Sequence, residues 1–292
     1  MSDFNVTRWP SPAKLNLILR ITGPRPDGYH ELQTMFQLLD YGDDIDIAAT
    51  TDGVIETKTA VPGVNQENDL CVLAARLLKR ETGTHQGAVI SLQKRLPIGA
   101  GLGGGSSNAA TVLIALNRIW GTGLSLQELA TLGLQLGADV PVFVMGKSAW
   151  AEGVGERLVP TALPERWFLV ISPGVHVKTS DVFRDARLTR NCPPITIRAF
   201  LDQYLNEPVD NVCQPIVRER YPGITEAIDW LAEQCHGRTR VVGMTGTGSC
   251  VFAAFESRSD AQNLLHSVPE KWRGFVAKGV DVSPLHRVMS PE

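Results

Sequence analysis

Between Leu96 and Ala110 the chain reads Leu-Pro-Ile-Gly-Ala-Gly-Leu-Gly-Gly-Gly-Ser-Ser-Asn-Ala-Ala, with five glycines among residues 99–105. A turn needs one or two, because each glycine costs conformational entropy when it is ordered. Five point to a backbone that something approaches closely. The segment leads into Ala109, Val112, Leu113, Leu116 and Trp120, an apolar stripe that predicts a helix over residues 107–120. Unpaired N–H groups and the positive dipole end at the start of that helix suit a phosphate chain. Ser106 and Ser107 fit two descriptions there, as N-caps or as hydroxyl ligands of a phosphate or its magnesium. The segment has no Gly-Lys-Ser/Thr and so is not a Walker A loop. Gly99, Gly101 and Gly104 satisfy G-x-G-x-x-G, but a dinucleotide fold also needs a second parallel strand and an acidic residue ~20 positions on. A second capped helix follows instead.

Phosphoryl transfer to a hydroxyl needs a group that accepts or orients its proton, and positive charge over the transferred group. Asp139, in Gly-Ala-Asp-Val-Pro, fits the first role and equally the N-cap of a short helix containing Pro141. Lys14, on a strand of apolar or neutral neighbours, reads by itself as an edge-strand gatekeeper. Tyr29 and His30 sit in a Pro/Gly loop. They read as surface residues, or as a ring to stack on a base and an imidazole to hydrogen-bond it. His30-Glu31 opens H-E-x-x-H, but position 34 is Thr, so no zinc-protease site follows. The five cysteines, at 71, 192, 213, 235 and 250, form no C-x-x-C pair and read as free thiols in a reducing compartment. Cys250, beside Val251-Phe252, is expected to be a core thiol.

The elements that must position these residues follow from periodicity. Leu15, Leu17, Leu19 and Ile21 alternate over a strand at 13–22, and 23–30 is a loop. Strands are expected at 31–39, 44–50, 88–92, 168–171, 241–244 and 250–255. Helices are expected around Leu70–Leu77, over 107–120, from Ser125 (in capping-box spacing with Glu128) to Gly137, and at 224–234 and 260–268. Irregular alternation argues for an α+β fold. The Pro160–Pro164 break, centred on 160–166, suggests domains of 1–162 and 163–292.

Hydrophobic residues are 43% and charged residues 20% of the 292, which excludes a disordered or low-complexity chain. Lys and Arg total 28 against 31 Asp and Glu, a net charge of -3. Nucleic-acid and membrane-surface roles are disfavoured, although the basic spot Lys94-Arg95 suits a phosphate. Residues 1–8 lack the features of a signal peptide, and no run approaches the ~18 apolar residues of a membrane span. A cytoplasmic location is expected.

Taken together, four stretches resemble the GHMP kinase superfamily: Pro12-Ala13-Lys14-Leu15-Asn16-Leu17, Asp27-Gly28-Tyr29-His30-Glu31, Gly101 to Ala110, and Gly137-Ala138-Asp139-Val140-Pro141. Met244 to Cys250 lies where the superfamily has its third motif. The resemblance covers nearly the whole chain. It implies two domains, the first like domain 2 of ribosomal protein S5 and the second ferredoxin-like, with a cleft between them. The implied reaction is ATP-dependent phosphorylation of the 2-hydroxyl of 4-diphosphocytidyl-2-C-methyl-D-erythritol, with ATP and Mg2+ as cofactors. It makes Lys14 and Asp139 catalytic. Lys94, Pro97, Gly99, Gly101, Leu102, Gly103, Gly104, Gly105, Ser106 and Ser107 are implied at the nucleotide, the two serines also as contacts to ATP-bound magnesium. Asn16, Tyr29, His30 and Phe183 are implied at the cytidine-bearing substrate, Phe183 as the second stacking ring. Asn68-Asp69-Leu70 departs from the superfamily's Asn-Leu pattern near the adenine.

Overall fold

The alternation over residues 13–22 lies inside a longer strand, β1 (Thr7–Pro24), which turns through residues 25–29 into β2 (His30–Thr50). A computed structural model describes residues 6–204 and 206–289. The strands expected at 31–39 and 44–50 are one. The intervening residues carry turn-forming types, yet Gly42 and Asp43 pair with Pro12 and Ser11, so the β1 ladder carries β2 straight through. Register shifts between Pro12 and Lys14 and between Asn16 and Leu19 bracket Lys14 and Asn16. Irregularities of this kind re-aim side chains.

The chain continues through β3 (Ile55–Thr57), a 3-10 turn at Gln66–Asn68, α1 (Leu70–Thr82), β4 (Gly87–Gln93), α2 (Gly104–Ile119), α3 (Leu126–Leu134), α4 (Val140–Met145), β5 (Ala149–Glu152) and β6 (Arg157–Pro160). The Asp69 carboxylate accepts from the Cys71 N–H at the start of α1, and Gly83 closes the helix in the left-handed conformation. Ser125 and Glu128 form the expected capping box, but α3 stops at Leu134, short of Gly137. Next come β7 (Trp167–Ser172), α5 (Thr179–Phe183), α6 (Ile197–Gln203), α7 (Gln214–Arg220), α8 (Pro222–Gln234), β8 (Val242–Met244), β9 (Val251–Phe255), α9 (Arg258–Leu265), β10 (Arg273–Val280) and α10 (Pro284–Met289).

The sheet runs β3-β4-β2-β10-β7-β9-β8, with β1 and β5 also on β2 and β6 on β5. Helices α1 to α4 bury Leu78, Leu113, Leu129 and Phe143 in one core with Ile45, Ile47 and Ile90 of the sheet. In the second half, β7, α7–α8, β8, β9, α9 and β10 follow in βαββαβ order, and the strands lie antiparallel as β10-β7-β9-β8. This is the expected ferredoxin-like arrangement. The α+β class holds. The 162/163 boundary falls between β6 and β7, but the sheet does not stop there. β10 pairs with β7 along its length and with Leu38–Leu39 of β2 at its end. A third core joins Leu15 and Leu17 of β1, Leu102 of the glycine loop, Phe168 of β7 and Phe252 of β9. The first strand and the glycine loop are thereby packed against both halves. All five cysteines are free and buried, and burial pushes the Cys250 thiol up to about 12. Among the described residues no helix is long and apolar enough to cross a membrane.

Candidate functional site

Two residues apart on β1, Lys14 and Asn16 lie on one face of the strand, and both are 3% exposed. The Lys14 ammonium donates to Asn16 Oδ1, lies 3.1 Å from Asp139 Oδ2 and sits 5.3 Å from the centre of the Phe36 ring. Asn16 Nδ2 donates to Thr34 Oγ1 (2.8 Å), which donates to the Ile18 carbonyl (2.6 Å). That chain fixes which way the Asn16 amide points. A buried ammonium on the inner face is not an edge gatekeeper. Asp139 occupies the N-cap position of α4, yet its carboxylate makes no capping bond. The carboxylate thus pairs with Lys14 instead of capping the helix.

The glycine loop is pinned by its carbonyls. The Lys14 N–H donates to Leu102 O (3.0 Å), the Cys250 N–H to Ala100 O (3.1 Å) and the Thr245 hydroxyl to Gly101 O (3.2 Å). From Gly99 through Ser106, by contrast, no backbone N–H donates to an acceptor among the described residues. Free N–H groups facing a cleft are donors suited to an anion. A Cβ on Gly101 would lie 2.2 Å from Thr245 O, so that glycine answers to the close approach of the β8–β9 turn. Gly103, at φ 70°, is the N-cap of α2, which therefore begins at Gly104 and not at 107. Both serines lie within the first turn rather than capping it. Ser106 lines the cleft. Ser107 is fully buried in a hydroxyl network with Ser11 and Asn108 and does not line it.

Lys94 reaches the cleft beside Gly104, with its ammonium 2.5 Å from Asp43. The buried Asp43 carboxylate also accepts the N–H groups of Arg95 and Leu96, which sets the entry to the loop. Leu102 is buried in the core joining the two halves, so its backbone is the part that borders the cleft. Asp69 is likewise committed, as the cap of α1.

At the other end His30 and Phe183 approach with ring centres 5.8 Å apart, inclined by 38°. Tyr29 stands at the rim, 65% exposed. The ring recorded beside Phe183 is thus that of His30. The His30 imidazole is held below its ordinary range by burial and then by the charge of Arg190, which donates to Nε2 at 3.1 Å.

Lys14, Asn16, Asp69, Lys94, the loop from Pro97 to Ser106, Asp139, Tyr29, His30 and Phe183 line one cavity of about 970 Å³, whereas Asp43, Ser107 and Arg190 stand behind its wall. Contacts order them along it. Leu70 abuts Gly105, and Gly103 abuts Lys14. Asn16 abuts Gly246, Thr247 bonds Thr179 at the start of α5, and α5 ends on Phe183. The Lys14–Asp139 pair therefore lies between the loop and the aromatic end. Among the described residues no group of three His, Cys, Asp or Glu is arranged to hold a metal.

Sequence reasoning missed Thr34, Phe36, Thr179 and Arg190. Thr34 and Phe36 fall on one face of β2 and were open to a period-2 reading. Thr179 and Arg190 lie in a segment without periodicity.

Comparison with known proteins follows the same outline. A model of the GHMP kinases N-terminal domain matches residues 69–147, and one of the GHMP kinases C-terminal domain matches residues 197–274. The chain is similar to a solved 4-(cytidine 5'-diphospho)-2C-methyl-D-erythritol kinase at 34% identity, covering 94% of this chain and 100% of that one, with a TM-score of 0.82. It shares its fold with a homoserine kinase from Cytophaga hutchinsonii (15% identity, 97% of each chain, TM-score 0.69). It also shares it with the Methanococcus jannaschii mevalonate kinase (16% identity, 96% and 99% of the two chains, TM-score 0.64).

Proposed function

The chain belongs to the GHMP kinase family, and from that membership we propose that it transfers the terminal phosphoryl group of ATP to the 2-hydroxyl of 4-diphosphocytidyl-2-C-methyl-D-erythritol, a step of the non-mevalonate route to isoprenoid precursors. What supports this reading most is the order of groups along one cavity: a row of unpaired N–H groups, then the Lys14–Asp139 pair, then the His30–Phe183 rings.

In the proposed mechanism the loop from Gly99 to Ser106 holds the ATP phosphates through backbone N–H groups, with Pro97 and Lys94 bordering the nucleotide. Asp139 accepts or orients the proton of the 2-hydroxyl. As that oxygen bonds to the γ-phosphorus, the bond to the β,γ-bridging oxygen breaks and ADP departs. Lys14 holds the Asp139 carboxylate and faces the transferred group with positive charge. Asn16 keeps Lys14 in place and offers its amide to the substrate. Tyr29 and Phe183 hold the cytosine, and His30 meets its edge. Residues 1–162 bind ATP, and residues 163–292 supply Phe183 and the Gly246–Gly248 wall. The Ser106 hydroxyl and Asp139 are too few for an all-protein metal cage but fit a Mg2+ held chiefly by phosphate and water. When bound, that ion neutralises charge on the phosphate oxygens. The proposed location is the cytoplasm.

The test is ADP release over a panel of acceptors, with 31P NMR of the product. ATP-dependent turnover is expected with the cytidyl-linked acceptor and not with mevalonate or homoserine. Turnover with either of the latter in its place would overturn the reading. The two serines separate in the same assay. Ser106→Ala should raise the KM for ATP with little change in melting temperature. Ser107→Ala should cost about 1 kcal/mol of stability by breaking the buried Ser11 network and leave that KM within two-fold.

A further inference from the structure

The imidazole of His30 is held by Arg190, 160 positions away. A guanidinium has N–H donors and no acceptor, so the nitrogen it bonds must carry a lone pair. With Arg190 Nε donating to His30 Nε2, the proton of the neutral ring sits on Nδ1. Nδ1 has no hydrogen-bond partner among the described residues, and His30 lines the cavity. The same guanidinium is committed on its other nitrogens: Nη2 donates to the carbonyls of Phe183 (2.6 Å) and Asp185 (2.9 Å), and Nη1 to that of Leu188 (3.1 Å). Asp185 is in turn bonded by Arg187 and paired with Arg220, so the loop bearing Arg190 is braced from behind. One side chain thus ties the start of β2 to the end of α5 and leaves a single N–H free on the imidazole.

We propose that Arg190 is a specificity-determining positioning residue, which fixes His30 as an Nδ1–H donor and thereby selects a cytosine over a uracil in the acceptor. The two pyrimidines differ at N3. Cytosine has a lone pair there, whereas uracil has an N–H. A donor presented to that atom pairs with cytosine and leaves two donors facing each other on uracil. A buried unmatched pair of this kind is discriminated by roughly 5- to 150-fold. The proposal rests on the cytidine reading of the cavity given above.

Two measurements test it. In protein labelled with 15N-histidine, long-range 1H–15N correlation distinguishes a bare from a protonated ring nitrogen, and His30→Ala identifies the signal. The wild type is expected to show bare Nε2 and protonated Nδ1, and Arg190→Met to shift the ring towards the other tautomer. In parallel, cytidine diphosphate and uridine diphosphate are compared as competitors of the acceptor. The wild type should favour cytidine diphosphate by 5-fold or more, and Arg190→Met should lose most of that preference while its KM for ATP stays within two-fold. His30→Ala should lose it too, and the double variant should lose no more than either single one. An unchanged cytidine preference in folded Arg190→Met overturns the proposal and leaves the cytidine reading intact. Equal competition in the wild type overturns that reading and the proposal with it. Should Arg190→Met fail to fold, a wild-type His30 protonated on Nε2 is by itself sufficient to overturn it.

Discussion

Asp139→Asn is expected to lower kcat by about 10²- to 10⁴-fold, the usual contribution of a positioned proton acceptor, and to leave ATP affinity within a few-fold. The geometry makes this substitution informative. The Asp139 carboxylate makes no capping bond to α4, so the near-isosteric amide removes no helix stabilisation. Lys14 keeps its bond to Asn16 and its place by Phe36, so the site keeps its shape. What is lost is the basic oxygen 3.1 Å from the ammonium. Lys14→Met, which retains the apolar stem, should act on the same step. The Lys14→Met, Asp139→Asn double variant should therefore be far less impaired than the product of the two single effects. Steady-state kinetics with calorimetric ATP titration of each variant would decide it. Near wild-type turnover in Asp139→Asn would remove Asp139 from the reaction.

The second large effect is expected at Gly103. Its φ of 70° disfavours any side chain, at about 1–2 kcal/mol for a left-handed residue. A methyl there would also stand 2.9 Å from the Phe143 ring and 3.0 Å from Lys14 Cε. Gly121 is the internal control, with φ 65° and nothing within 4 Å of an added Cβ. Gly103→Ala and Gly121→Ala should lose comparable stability on the backbone account. Only Gly103→Ala should also weaken ATP binding and lower kcat/KM, by about 10²-fold if the methyl displaces Lys14 or the loop by an ångström. Denaturant melts and kinetics on both variants separate the terms. If the two variants behave alike, the loop is not held to the precision proposed for it.

The parts of the molecule legible in the sequence are those whose causes are local. The capping box of Ser125 and Glu128 is set within one turn. The glycine run before an apolar helical stripe marked a loop with unpaired backbone donors, and its N–H groups find no acceptor among the described residues. The core character of Cys250 followed from its immediate neighbours. The strand at 13–22 and the helix at α2 were found, each longer than its pattern, because pairing and packing extend an element past the residues that signal it.

Other features depended on partners distant in the chain. β10 and the β5–β6 hairpin carry weak patterns of their own and exist because β2, β7 and each other offer ladders to complete. Successive residues of a helix point about 100° apart, so the end of the glycine loop decides which serine meets the cleft. That end is set by the Lys14 N–H on Leu102 O, a contact no local rule contains. Position and residue type alone left Asp139 with two readings, and the fold placed its carboxylate beside the buried Lys14 ammonium instead of on the N–H groups of α4. In the same way it gave His30 a single free donor by bringing Arg190 to its far nitrogen. The sequence by itself determined which chemical groups are present and how the backbone around each prefers to turn, since those preferences are properties of neighbouring residues. Which groups meet, and with which atom facing which, was decided by tertiary packing, because hydrogen bonds and ion pairs depend on distances that sequence separation does not measure.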